Sequence, residues 1–290
     1  MRMKKRALTM LLAAAVLTAS SLACGVNGSV EFGGVRGSGR LVEEVRQVSD
    51  FTGVELATFG DLTIEIGERE ELRIEAESNL IEYFETFVED DVLRITTRPG
   101  VILHTRMPVK FNLIVKDLDT ILVTGSGDVD GPDLEAGHFA VTITGSGDVR
   151  LGTLEADEVE LRITGSGNLD AAGVEAPEQA IAVSGAGDAV LDRVSARTFQ
   201  VSVTGAGNLD VRSGEVEEQN VTVSGSGDYR ARGVSSTAAD VRVHGSGTAT
   251  IRVRDHLEAR VTGSGDIWYA GTPAVNQSVT GSGDVTRVGG

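Results

Sequence analysis

The phrase Gly-Ser-Gly-Asp, with small variations, returns through the second half of the chain at a nearly constant interval. The opening glycines of its Gly-[Ser/Ala]-Gly copies are Gly125, Gly145, Gly165, Gly185, Gly205, Gly225, Gly245, Gly263 and Gly281, twenty residues apart six times and then eighteen apart twice. A period of roughly 20–50 residues marks a stacked repeat, in which a single unit cannot bury its apolar face without its neighbours. Few other folds are compatible with such a sequence.

The residues around each copy give the kind of unit. Four and two places before the opening glycine stand Ile121 and Val123, Val141 and Ile143, Leu161 and Ile163, and so on to Val241 and Val243. Four places after it come Val129, Val149, Leu169, Ala189, Leu209, Tyr229, Ala249, Ile267 and Val285, and several rungs add an apolar residue nine places after: Leu134, Leu154, Val174, Val194 and Val234. Polar residues alternate with these, which is the period of a strand with one buried face, and no helical period appears in the array. Each repeat is therefore expected to be one rung of two or three strands. The fold class expected is all-β, a parallel β-helix or β-solenoid with rungs of about 20 residues. Nine rungs at the inter-strand spacing of about 4.8 Å would make a rod of about 40 Å. The glycines fit corners that need positive φ or close backbone approach, and the following Asp or Asn fits a turn.

The N-terminal part is organised differently. Arg2, Lys4, Lys5 and Arg6 precede a short apolar run from Leu11 to Leu17, then small residues to Ala23 and the lone cysteine, Cys24. Residues 1–23 read as an export signal, too short in its apolar part to span a bilayer. Cys24 at the inferred cleavage point resembles the lipidated cysteine of a bacterial lipobox, although Ser21 stands where such boxes usually carry Leu. Ordinary cleavage leaving a free thiol is the alternative. Residues 24–40 hold a glycine-rich tether. Residues 41–120 read as an irregular β cap with the first rungs, and 121–290 as the regular solenoid. Within the cap, Tyr83–Val88 and Val92–Thr97 read as a hairpin turning at Glu89-Asp90-Asp91, with a short helical turn from Ser78 as the alternative for its first part. Phe59-Gly60-Asp61 sits where a degenerate first copy of the glycine phrase would fall. Five of the eight phenylalanines, Phe51, Phe59, Phe84, Phe87 and Phe111, lie here, as expected where an open stack of strands must be closed.

Charge narrows the partners. Without the four cations of the signal, 22 Lys and Arg face 43 Asp and Glu, a net charge of about −21. Such a surface repels phosphate backbones, so no nucleic-acid partner is expected. With one cysteine there is no internal disulfide to hold an exported fold.

The run Val48-Ser49-Asp50-Phe51-Thr52-Gly53-Val54-Glu55-Leu56, the later Glu75-Ala76-Glu77-Ser78-Asn79-Leu80 and the repeated Val-Thr-Gly-Ser-Gly-Asp-Val phrases resemble the bacterial family called the putative auto-transporter adhesin head, or GIN, domain. The resemblance spans about residues 41–285. It implies a solenoid-like all-β domain, often carried on cell-envelope lipoproteins, and brings no active site.

The most suggestive constellation is a column of acids after the second glycine: Asp128, Asp148, Asp188, Asp228, Asp266 and Asp284, interrupted by Asn168, Asn208 and Thr248. Stacked about 5 Å apart, they are either turn formers or ligands that bridge a cation between rungs. Glycine-rich calcium repeats use a nine-residue period with Asp placed one residue later, which favours the turn. A phosphate-cradling loop occurs once, before a helix, whereas this phrase recurs nine times among strands. A ladder of Thr124, Thr144, Thr164, Ser184, Thr204, Ser224, Thr262 and Thr280 could serve ice or sugar contact, but His244 interrupts it. His104, His138, His244 and His256 are scattered, so no catalytic residue, cofactor or metal motif is expected. Polysaccharide-cleaving β-helices build grooves from long inserted loops, for which rungs of constant length leave no room. The expected protein is an exported, membrane-anchored, non-catalytic structural or adhesin-like module with an envelope protein or glycan as ligand, and a polysaccharide-binding or polysaccharide-cleaving β-helix is the alternative.

Overall fold

Residues 34–289 are described by the computed structural model. The alternating apolar residues form strands that stack in parallel and in register, at an offset of twenty residues and then eighteen. Val141 lies beside Leu161, followed upward by Ile181, Val201, Val221, Val241 and Ala259. Beyond the glycine corner Val149, Leu169, Ala189, Leu209, Tyr229, Ala249 and Ile267 make a second column. Both columns are almost fully buried. The fold is an all-β solenoid with rungs of about twenty residues, held by main-chain hydrogen bonds between rungs and by like side chains stacked inside. β-Branched residues suit such a surface because their stiff side chains pack well across neighbouring strands.

Two further inward columns flank those legible in the repeat. One runs Leu151, Ala171, Leu191, Val211, Ala231, Ile251, and the other Phe139, Val159, Gln179, Phe199, Gln219, Ala239, Leu257. The glutamines have local causes. Pro177 interrupts the strands Leu169–Glu175 and Glu178–Val183, and Gln179 Nε2 donates to the carbonyls of Val174, Ala176 and Ser195 at 3.0, 3.2 and 2.8 Å. Two rungs later the buried hydroxyl of Tyr229 donates to Gln219 Oε1 at 3.2 Å.

The corners need glycine chiefly for proximity. A Cβ on Gly147 would stand 1.9 Å from the carbonyl oxygen of Gly127 one rung below, a separation no side chain can occupy. From Gly205 onward the opening glycine also takes a positive φ, +124° at Gly205 itself. The aspartates beside them do not. Asp50, Asp90 and Asp91 are the non-glycine residues with positive φ among those described, so the column residues are placed for a reason other than a left-handed turn.

At the N-terminal end, spatial order departs from chain order. The strands Gly53–Ala57 and Asp61–Ile66 form a true rung, with Leu56 beside Val123 and Leu62 beside Val129. Phe59-Gly60-Asp61 is its corner, since a Cβ on Gly127 would meet the Gly60 carbonyl at 2.1 Å. Below this rung lie Val92–Thr97 and Lys110–Val115, which come later in the chain. The parallel stack ends there. Glu71–Glu77 runs antiparallel to Lys110–Val115, Leu41–Gln47 antiparallel to Glu71–Glu77, and Phe84–Glu89 antiparallel to Val92–Thr97. The last two strands form the expected hairpin, with Asp90 and Asp91 at φ 52° and 60°, the left-handed pair that a two-residue hairpin turn requires. Both alternatives for the preceding segment hold in part, because a 3₁₀ turn at Ile81–Tyr83 leads directly into the strand. The rings of Phe59, Phe84 and Phe111 meet edge to face, with centroids 5.7 and 5.5 Å apart, and fill the closed end.

The other end is built without such a closure. Ala274–Gly281 pairs with Thr248–Gly263, and Val285–Arg287 with Asp266–Ala270. Among the described residues no strand covers their outer edges.

Candidate functional site

The acidic column forms a hydrogen-bonded ladder along the corner, unbroken from Asp128 to Thr248. Asp128 Oδ1 accepts the backbone N–H of Asp148 at 2.9 Å, and Asp148 Oδ1 accepts that of Asn168 at 2.9 Å. The pattern continues from Asn168 Oδ1 to Asp188, Asp188 to Asn208, Asn208 to Asp228 and Asp228 to Thr248. It breaks at Thr248, above which the Asp266 N–H donates to the Gly247 carbonyl, and resumes from Asp266 Oδ1 to Asp284. Each side chain therefore serves the main chain of the next rung rather than its own turn. This spends one oxygen of each carboxylate on a backbone donor that the corner would otherwise leave without a partner.

Charge along the ladder is managed by composition. From Asp148 to Thr248 acidic and neutral residues alternate, and Asn168 and Asn208 also donate Nδ2 to the carboxylate below at 2.9 Å. At the adjacent acids Asp128 and Asp148 the Arg150 guanidinium approaches both, at 3.9 and 3.4 Å. Arg230 sits 2.6 Å from Asp228 in the same way. The second adjacent pair, Asp266 and Asp284, has no ion pair among the described residues. Among the described residues no three His, Cys, Asp or Glu side chains converge as a metal-binding group. Cys24 lies outside the described residues.

The histidines stay apart: His104 is in the cap, His138 lies beside Glu158 at 3.5 Å, and His244 stacks between Ser224 and Thr262. The Thr/Ser ladder does form an outward column, with Thr204, Ser224, His244, Thr262 and Thr280 in register.

Several concavities mark the surface, and two of them bear on binding. The larger, about 850 Å³, lies where the cap meets the array and is lined by Lys116, Asp117, Asp133, Glu135, Glu155 and Asp157 among others. The smaller, about 390 Å³, crosses the array face. It arises because Ala180, Ala182 and Ser202 are short, while Glu160 and Arg162 stand on one side and Asn220, Thr222 and Arg242 on the other. Arg162 pairs with Glu160, and Arg242 with Asp240, two residues earlier on its own strand.

One carboxylate invisible to pattern reading organises the cap. Glu77 is shut from solvent. It accepts the backbone N–H groups of Gly39 and Arg106 at 2.6 and 2.8 Å, tying two segments that flank its strand. The Arg106 hydrogen bond, aided by that of Gly39, holds its pKa below the ordinary glutamate value against the opposing effect of burial. Its position in Glu75-Ala76-Glu77 marks it only as one acid among many.

The model of the family described as putative auto-transporter adhesin, head GIN domain, matches residues 50–212 and 170–273, and the chain belongs to that family. Among solved structures, a putative adhesin from Parabacteroides distasonis superposes with a TM-score of 0.69 at 23% identity, over 88% of this chain and all of that one. A putative adhesin from Parabacteroides merdae gives 0.66 at 24%, over 88% and 98% of the two chains. A putative lipid-binding protein from Parabacteroides distasonis gives 0.66 at 24%, over 88% and 99%. At these identities the likeness is one of fold. None of the curated proteins is similar enough in sequence to count as a match.

Proposed function

We propose that this member of the head GIN domain family is a non-catalytic binding module on the outside of a bacterial membrane. A lipid on Cys24 holds it there, and the faces of its array engage a glycan or an envelope protein. Family membership supports an adhesin-like role at the cell surface. The observation that carries the reading further is the shallow groove between Arg162 and Arg242. Its floor is made of the small side chains of Ala180, Ala182 and Ser202, and its margins offer the amides of Gln200 and Asn220 and the hydroxyl of Thr222. Such an arrangement can hydrogen-bond an extended chain rich in hydroxyl groups without enclosing it, which is binding without the closed, dry pocket that catalysis needs.

The test is a screen of the full-length Cys24→Ser protein against glycans and envelope proteins. Binding should be lost in Ala182→Trp, which fills the groove, with an unchanged melting temperature. Binding retained by that variant would move the contact off this face. Release of unsaturated or reducing ends from acidic polysaccharides would replace the binder with a cleaving enzyme.

A further inference from the structure

The two ends of the solenoid treat their exposed strand edges in opposite ways. At the capped end the outermost strands are Leu41–Gln47 and Phe84–Glu89, which carry Glu43, Glu44 and Arg46, and Glu85 and Glu89. Charges on an edge strand discourage pairing with another chain. At the far end the edge strand Ala274–Gly281 has none. From Gly271 to Gly283 the chain carries no charged side chain, in a protein whose residues are 24% charged. One rung below, the corresponding strand holds Arg254, Asp255, Glu258 and Arg260.

This edge is also apolar and has unused hydrogen-bonding groups. In the ladder, inward-facing residues direct their main-chain groups toward the next rung: Val129 N–H donates to Asp148 O at 2.8 Å and Ile267 N–H to Asp284 O at 2.9 Å. In Ala274–Gly281 the inward positions are Val275, Gln277 and Val279, which continue the columns of Leu257, Ala259 and Val261. Their main-chain groups point to a rung that the described residues do not supply. Val275 and Val279 are 37% and 42% exposed, although Leu257 and Val261 beneath them are buried.

The order Val275, Gln277, Val279 reads the same in both directions. We propose that two copies of this chain pair tail to tail through this edge, antiparallel about a two-fold axis at Gln277. Gln277 then lies opposite the partner's Gln277, and Val275 opposite the partner's Val279. All three positions become hydrogen-bonded pairs, each exchanging both main-chain bonds, so the free groups at the inward positions are used. Valine meets valine on the inner face, and both cores are covered. The contact is isologous and closes at two copies, because the opposite end of each rod is capped and charged. A chain of formal charge −17 can approach a copy of itself most easily where it carries no charge. The first described strand, Val35–Arg36, pairs with Leu103–His104 in the capped end, so these strands of the two copies lie at opposite ends of the dimer. If the anchoring proposed above holds, the partners come from facing surfaces, and the module binds its own kind. The pairing itself rests on the edge alone and is measured in solution, where failure of the anchoring or glycan reading leaves it untouched.

The experiment uses the full-length Cys24→Ser chain, which has no thiol. Sedimentation equilibrium should give a dimer, and Val279→Lys, which places a charge in the contact twice, should give a monomer with the same circular dichroism. In the same background Gln277→Cys should form a disulfide-linked dimer on mild oxidation. The Cα atoms of a hydrogen-bonded antiparallel pair lie about 5.5 Å apart, inside the range of roughly 4.4–6.8 Å that a disulfide spans. Val88→Cys, on the exposed hairpin of the opposite end, should not cross-link. A monomeric parent chain, a dimer unaffected by Val279→Lys, or equal cross-linking at Val88 and Gln277 would each overturn the proposal.

Discussion

Asp148 Oδ1 accepts two hydrogen bonds from Asn168 in the rung above, one from its backbone N–H and one from Nδ2, both at 2.9 Å. The pair shows why the corner column mixes Asp with Asn. From Asp128 to Asp228 each level supplies an acceptor for the N–H above it, and either residue can do so. A negative charge at every level would set carboxylates about 5 Å apart along the rod. Alternation keeps the acceptors and dilutes the charge.

Asp148→Asn should therefore be nearly silent, within about 0.5 kcal/mol by thermal or denaturant unfolding, since the acceptor stays and only the exposed Arg150 pair is lost. Asn168→Asp should destabilise by about 1–2 kcal/mol. It removes the Nδ2 donor and makes an unbroken run of acids along the corner from Asp128 through Asp148 to Asp188. Calcium should raise the melting temperature of that variant alone, and chelator should leave the parent unchanged. A saturable calcium response in the parent, abolished by Asp148→Asn, would show that the ladder holds a cation.

Glycine at the corner is required by proximity, and a matched pair of substitutions isolates that cause. Gly147→Ala brings a Cβ against the Gly127 carbonyl and should cost more than about 3 kcal/mol, because the obstacle is backbone that cannot move without parting two rungs. At Gly137, in the same rung, nothing lies within 4 Å of an added Cβ. Gly137→Ala should be neutral or stabilising by up to about 1 kcal/mol. Equal losses at the two sites would remove the steric explanation.

Acid should loosen the cap through Glu77. Its pKa is lowered in the folded protein, chiefly by the Arg106 N–H, so the folded state binds that proton less readily than the unfolded chain. The stability it contributes is present above the ordinary glutamate value near 4.5 and is lost as pH falls through the lowered folded value. Glu77→Gln should be less stable at neutral pH and should show a shallower loss between neutral and acid pH. An unaltered acid limb in that variant would assign the pH dependence to other carboxylates.

Anchoring is decided by a single side chain. With Cys24→Ser the protein should move from the membrane fraction to the soluble exported fraction. Unchanged detergent partitioning of the variant would rule out lipid attachment at this position.

The period of twenty, the strand alternation and the glycine phrase were sufficient to reveal a parallel solenoid and the inward columns four and two places before and four and nine places after the opening glycines. Stacking in register gives a residue at one level the same surroundings as its counterparts above and below, so nine imperfect copies report one environment. The degenerate corner at Phe59-Gly60-Asp61 was legible for the same reason. Where that averaging stops, local pattern no longer decides. The rung at Gly53–Ile66 lies above strands that follow it in the chain, and Glu77 is buried because two distant backbone segments converge on it. Neither relation has a repeat to announce it. Within the array, Gln179 occupies a place that Phe139 and Phe199 fill elsewhere because Pro177 frees carbonyls nearby. The partner of each corner aspartate, one rung up rather than in its own turn, is likewise set by stacking. Periodicity states which residues share an environment. Only the packed chain determines which donor faces which acceptor, because those contacts join residues a full rung or more apart.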